Sequence, residues 1–414
     1  MKLFKKVLCK PAPSIPSQAT EAVEPQQAAP VTLAQDMPLR VVLFVGHHKV
    51  GSTSLQDYLS RNAVALSGAG ILYPYVDFEG LAHFTARANG HDPSPESLPI
   101  NVREPHNALA FRMLAAEQGG TVPAYHKRLP ALPQMFNAMK QQIRFSQPHT
   151  VILAAEVFAN FNAVSPKLIQ DLVTQFPNAE FTLVATLRRI DEYLASWQGQ
   201  RLKFGHKLEP LRETGLDSYL KGIHFNYRLM VEGWIKALPE ANVILRDYAQ
   251  VRAAGGSVVD FITQTGLELP EGLAPERREN DSFHRAVYEI ARQGNQQLPA
   301  AKAGVLRRKL RQNAADFQLP SSHDIELFGA KNRGRVLERF RPIDSYLGEV
   351  MGRSGFFAGL EQVQDCAPLA ELDAYQDALA QICATPKWCD DQDVTEFLAR
   401  LQKQSGAKTA GSGE

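Results

Sequence analysis

Val45-Gly46-His47-His48-Lys49-Val50-Gly51-Ser52-Thr53-Ser54 decides how this chain is read. The residues before it, 40–45, are a short β-branched apolar run of the kind that forms a strand buried on both faces. Those after it, 52–62, carry Leu55 and Leu59 one helical turn apart, with Ser52 or Thr53 as cap. A buried strand, a glycine-punctuated turn and a helix start make a place to hold an anion. Glycines let the backbone fold tightly so that its N–H groups converge, and the helix N-terminus adds unsatisfied N–H groups and the positive end of its dipole.

Outward from this loop the same rhythm repeats. Strands are expected at 150–154, 181–186 and 243–245, and helices at 165–176, 190–203, 216–238 and 257–265. Strands alternating with helices predict an α/β fold with a central parallel sheet flanked by helices. Residues 63–148, with many Pro, Gly and His, interrupt the pattern and read as an insertion over the sheet edge. Beyond about residue 295 only helices are expected, at 301–313, 331–340, 373–383 and 394–402, after one at 283–296. The expected organisation is thus an α/β domain over 39–295, a mostly helical C-terminal region over 296–405, and disordered tails at 1–38 and 406–414. The first tail holds six prolines in residues 11–38 and too little apolar surface to offset its ordering entropy.

Composition narrows the function. The chain has 414 residues, 45 Lys plus Arg against 44 Asp plus Glu, and a formal charge of +1. No global field exists to grip nucleic acid or an anionic membrane, so any anion site is built locally. Four cysteines exclude a disulfide scaffold and fit a reducing cytoplasm. The lysines near Met1 are followed by too short an apolar stretch for a signal peptide, and no apolar run is long enough to span a membrane.

Gly46 and Gly51 have the spacing of the nucleotide-triphosphate loop G-x-x-x-x-G-K-[ST], and Thr53 sits at its hydroxyl position. Ser52, however, stands where that motif has lysine, and the lysine is Lys49. This displaced order, Lys49-x-Gly51-Ser52-Thr53-Ser54-Leu55, resembles the 5′-phosphosulfate loop of the sulfotransferases that use 3′-phosphoadenylyl sulfate (PAPS). Val50 and Ser52 replace two threonines of that family's usual form. The family's 3′-phosphate site, an Arg at a strand end and a Ser eight residues on, is matched by Arg188 and Ser196. Eight residues of helix span roughly 9–12 Å, a gap that a long Arg closes around one phosphate. Asn280-Asp281-Ser282 also resembles a recurrent element of bacterial members, carbohydrate-acting ones among them, and Arg277 and Arg278 lie beside it.

The resemblance implies a P-loop nucleotide-binding fold and a PAPS-dependent sulfotransferase. It implies Lys49, Gly51, Ser52, Thr53, Ser54, Arg188 and Ser196 around the nucleotide, no metal, and a hydroxylated or amine acceptor, a carbohydrate or glycan foremost. The catalytic residues would be Lys49 and a base. Glu156, at the carboxyl end of the 150–154 strand, is the first candidate for that base, since ligands of open α/β sheets bind there. His106 and His83, in the insertion, are the others. Each of the three also has a structural reading, as a salt-bridged carboxylate or a packed histidine. Two readings compete with the whole: a nucleotide-dependent kinase or hydrolase, against which the missing Gly-Lys-Ser/Thr order speaks, and a non-catalytic nucleotide-binding module.

Overall fold

The structure is a computed structural model that describes residues 38–277, 283–313 and 316–410. The expected N-terminal tail, the Asn280-Asp281-Ser282 element and Arg278 lie outside the described residues. The described residues form one compact unit.

Five parallel strands make the central sheet: β1 (Arg40–Phe44), β2 (Ile71–Leu72), β3 (Thr150–Ala154), β4 (Glu180–Leu187) and β5 (Asn242–Asp247), in the order β2-β3-β1-β4-β5. Helices α1 (Ser52–Arg61) and α2 (Ala63–Gly68) follow β1. Then come α3 (Phe78–Ala88), α4 (Ile100–Arg103), α5 (Pro105–Gln118) and α6 (Leu132–Ser146). After β3 stand α7 (Phe161–Val164) and α8 (Lys167–Val173), and after β4 stand α9 (Ile190–Lys203) and α10 (Tyr227–Ala237). α11 (Tyr248–Ala253) and α12 (Ser257–Thr265) complete this part.

Alternation along the strands explains why both faces are covered. Val41, Leu43, Val151, Leu153, Leu183 and Ala185 point into one core, with α5, α6, α8, α9 and α10. Val42, Phe44, Ile152, Ala154 and Val184 point into another, with α1 and α12. The first core runs on without a break into the C-terminal helices α13 (Tyr288–Gln297), α14 (Ala300–Gln312), α15 (Gly329–Val350), α16 (Glu371–Ala384) and α17 (Gln392–Ala410). A two-stranded parallel ribbon, β6 (Ile325–Glu326) with β7 (Leu369–Ala370), lies among them.

Several expectations are corrected. Residues 63–148 are more than a cover: they supply the edge strand β2, paired with β3, and helices of the sheet's own layers. The single helix expected over 216–238 is a 3₁₀ turn at Gly215–Ser218, an irregular stretch, and α10. The helix expected over 331–340 continues to Val350 through Pro342, although proline inside a helix removes a backbone hydrogen bond. The last helix runs to Ala410, past the point at which a loose tail was expected to begin. Among the described residues no helix is long and apolar enough to cross a membrane.

Candidate functional site

The ladder between β1 and β4 does not stop where β1 ends. Val45 N–H donates to Val184 O (2.9 Å), Thr186 N–H to Gly46 O (2.8 Å), and His47 N–H to Thr186 O (2.8 Å). The loop is therefore held against the end of β4, and Arg188 is the next residue but one after Thr186. On the other side, Ala155 N–H donates to Phe44 O (3.0 Å), which fixes the end of β3 and puts Glu156 beside the loop. Glu156, the loop and Arg188 thus stand on three neighbouring strand ends. The connection from β1 leads toward the β2 edge and that from β4 toward the β5 edge. The carboxyl ends of β1 and β4 therefore flank a topological switch point, the kind of place at which open α/β sheets bind ligands.

The turn itself needs its glycine. Gly51 has φ +83°, and a Cβ there would run into Ser257 Oγ, which donates to Val50 O (2.9 Å). Lys49 also adopts the left-handed region, at φ +62°. Its Nζ reaches Gln200 Oε1 (3.3 Å) on α9. Ser196 is four residues before Gln200, so the two share one face of α9, the face turned to the loop. α1 begins at Ser52 with no side-chain cap and no acidic residue in its first turn. Ser52 is buried, Thr53 and Ser54 are half-buried, and Ser54 Oγ donates to Arg277 O (3.3 Å).

Arg188 is half-buried. Its Nε donates to Glu192 Oε2 (3.2 Å) and its guanidinium lies 5.3 Å from the centre of the Tyr248 ring. Its carbonyl accepts from Tyr227 OH (2.8 Å). The C-terminal region braces this helix start: Arg189 reaches Asp191 (2.8 Å) and Gln362 Oε1 (2.6 Å), and Arg333 joins Asp191 to Glu326. The helical extension and the start of α9 are mechanically one piece.

Sequence reasoning missed a stack of rings at the same place. His48 lies 5.0 Å from Trp197, and Trp197 stacks on His224 at 4.2 Å. Tyr193 OH and His224 Nδ1 are 2.7 Å apart. His47 accepts from His48 N–H through Nδ1 (2.7 Å) and donates from Nε2 to Ile223 O (3.0 Å), so it is the neutral Nε2–H form. Burial first, then the neighbouring His48, lowers His47 to about 3. Burial and Lys49 lower His48 to about 4, and burial followed by His47 and His48 lowers His224 to about 2. The paired histidines were visible in the sequence. His224 was not, because it lies in the irregular stretch where the sequence predicts a helix.

The three base candidates separate. Glu156 accepts from Gln56 Nε2 at Oε2 (3.1 Å) and from Asn107 Nδ2 at Oε1 (3.1 Å), and is half-buried. His106 is fully buried against Tyr73, and its Nδ1 accepts from Ala154 N–H (3.1 Å). The lone pair a base would use is spent on the backbone of β3, and burial lowers its pKa to about 3. His83 is buried in α3, which packs on α2 and α4. Neither histidine reaches the loop through any contact among the described residues. Asn107, Gln56 and Glu104 were not singled out from sequence. Glu104 accepts from Asn107 Nδ2 (3.0 Å) and from Arg103 Nε (3.0 Å). Burial, and then the charge of Glu156, push Glu104 up from the usual carboxylate range. Among the described residues no group of three or more His, Cys, Asp or Glu is placed to hold a metal ion.

No protein-family model matches the chain, and no solved structure does. A protein of Archaeoglobus fulgidus, described only as uncharacterized, is 27% identical over 152 residues. The match spans 36% of this chain and 39% of the archaeal protein, so the chain covers well under two thirds of that relative.

Proposed function

We propose that the protein is a P-loop-type sulfotransferase that moves a sulfuryl group from PAPS to a hydroxyl or amine acceptor, a carbohydrate or glycan foremost. The observation that carries this reading is the joining of Lys49 and the 46–51 turn, through the β1–β4 ladder, to the strand end that bears Arg188 and to the face of α9 that bears Ser196. Two cationic side chains and a run of backbone donors then serve two separate phosphate positions across one crevice.

Sulfuryl transfer resembles phosphoryl transfer, with an in-line, loose transition state and charge growing on the leaving phosphate oxygen. Lys49, with the N-terminal N–H groups of α1 and the hydroxyls of Ser52, Thr53 and Ser54, supplies donors to that charge. Arg188 and Ser196 bind the nucleotide's other phosphate. Glu156 takes the acceptor proton, oriented by Gln56 and Asn107. The same Gly46–Gly51 spacing supports a kinase or hydrolase as a second reading, but Lys49 lies before the second glycine rather than after it.

Calorimetry separates the two. The wild-type protein should bind 3′-phosphoadenosine 5′-phosphate (PAP) equally well with and without a chelator. Tight ATP binding that requires magnesium, with no PAP binding, would replace the sulfotransferase reading. A screen of carbohydrate acceptors with radiolabelled PAPS then identifies the acceptor.

A further inference from the structure

Asn107 is almost wholly buried, and its amide nitrogen donates one hydrogen to each of two carboxylates, Glu104 Oε2 (3.0 Å) and Glu156 Oε1 (3.1 Å). Its oxygen lies 3.5 Å from the N–H of Val157, the residue after Glu156, which sets the amide's orientation. Gln56, also fully buried, holds the opposite oxygen of Glu156 and at the same time Ala154 O (3.1 Å). Both amides are anchored to the end of β3, and each grips one carboxylate oxygen. A surface carboxylate does not need this; a carboxylate whose lone pair must point one way does.

We propose that Asn107 and Gln56 are positioning residues for Glu156, and that Glu104, joined to it through Asn107, is its electrostatic partner. The proposal rests on the reading of Glu156 as the acceptor-side base. The two carboxylates then act as one unit: the negative charge of Glu156 raises the affinity of Glu104 for a proton, and Asn107 fixes their separation. Arg103 offsets part of this charge through its contact with Glu104 (2.7 Å). The other titratable groups facing the pair are Tyr73, Tyr125 and His126, whose pKa values respond to Glu104. Tyr73 and Tyr125 respond to Glu156 as well.

The test needs no acceptor. Protein labelled with carbon-13 at the glutamate carboxyls is titrated by NMR, and the Glu104 signal is assigned by its loss in Glu104→Gln. In Glu156→Gln the Glu104 midpoint should move down, because a neighbouring negative charge is gone. In Asn107→Leu it should move up, because the hydrogen bond that favours the charged form is gone. Two carboxylates that do not sense each other through Asn107 would leave both midpoints in place, and that outcome overturns the proposal. Should Asn107→Leu fail to fold, Glu156→Gln, which keeps size and shape, decides alone. PAP calorimetry on the same samples keeps the two ideas apart. Unmoved midpoints with PAP bound remove only the coupled pair, whereas a wild-type protein that ignores PAP removes the sulfotransferase reading whatever the titration shows.

Discussion

The two sides of the crevice are built by opposite strategies. The side proposed to hold the nucleotide is nearly contiguous: the 45–54 segment and Arg188–Ser196 are two short stretches that follow adjacent strands, stitched together by backbone hydrogen bonds. The proposed acceptor side is assembled from distant pieces, with Gln56 on α1, Glu104 and Asn107 around the start of α5, and Glu156 after β3. Backbone recognition of phosphate requires a fixed local conformation, which a motif can encode. Holding one carboxylate requires only that partners arrive from somewhere, and many sequences satisfy that. On the proposed reading, a motif shows the general half of such a site and leaves out the half that would set its chemistry toward a particular acceptor.

The strongest way to break the contrast is at Glu156. Glu156→Gln keeps the side chain's size but cannot take a proton. With a working acceptor it should slow transfer by about 10²–10⁴, the usual worth of a positioned base, and leave PAP affinity unchanged. A near wild-type rate would show that Glu156 is a structural carboxylate and that the base lies elsewhere. Lys49→Ala probes the other side. It should lower kcat by roughly 10²–10³ if it acts as an oxyanion-type donor does, and weaken PAP binding as well, since the ground state is also anionic. Equal losses in binding for the two variants would mean that the two sides are not separate.

These expectations also mark what was legible. The four longer strands of the sheet were readable because each is a β-branched apolar run, and the Lys49 turn was readable because Gly51 sits where only glycine avoids the Ser257 side chain and Gly46 where it lies against the backbone of Glu156. β2 was not, because Ile71-Leu72 is too short to show a period. His224 was hidden for a different reason: apolar residues at helical spacing across 216–238 mimic a helix, while the real segment is bent so that its rings pack on Tyr193 and Trp197. Pro342 hid the second half of α15, whose partners in the C-terminal core hold it helical through the proline. Asn107 and Gln56 carry no pattern at all; their role exists only once β3 has brought Glu156 between them.

A smaller effect sharpens the nucleotide side. Arg188→Ala should weaken PAP binding about tenfold or more, since a hydrogen bond to a charged group is worth about 1.5–3 kcal/mol. Adenosine 5′-phosphosulfate, which lacks the 3′-phosphate, should bind wild type and variant alike. Equal weakening for both ligands would place Arg188 outside the 3′-phosphate site and make its contacts with Glu192 and Tyr248 its main role.

The smallest catalytic effect is expected at His106, and it sharpens the acceptor side. His106→Asn keeps an acceptor near the position of Nδ1 and leaves a modest cavity, so transfer should stay within a few-fold of wild type and PAP affinity should not change. Its signature belongs to stability instead. Burial lowers His106 from 6.5 to about 3, so below pH 6.5 the unfolded chain takes up a proton that the folded protein refuses. Stability therefore falls as pH drops from 6.5 toward 3, by about 1.4 kcal/mol per pH unit for this group. The variant lacks that contribution, and its stability should decline less steeply, by on the order of 2 kcal/mol between pH 6.5 and pH 5. His47, His48 and His224 contribute the same sign in both proteins and largely cancel in the difference. Urea unfolding of both proteins across this range measures the difference. A variant that folds and binds PAP but loses transfer a hundredfold, together with the acidic limb of its pH–rate profile, would make His106 the base and reverse the assignment on this side of the crevice.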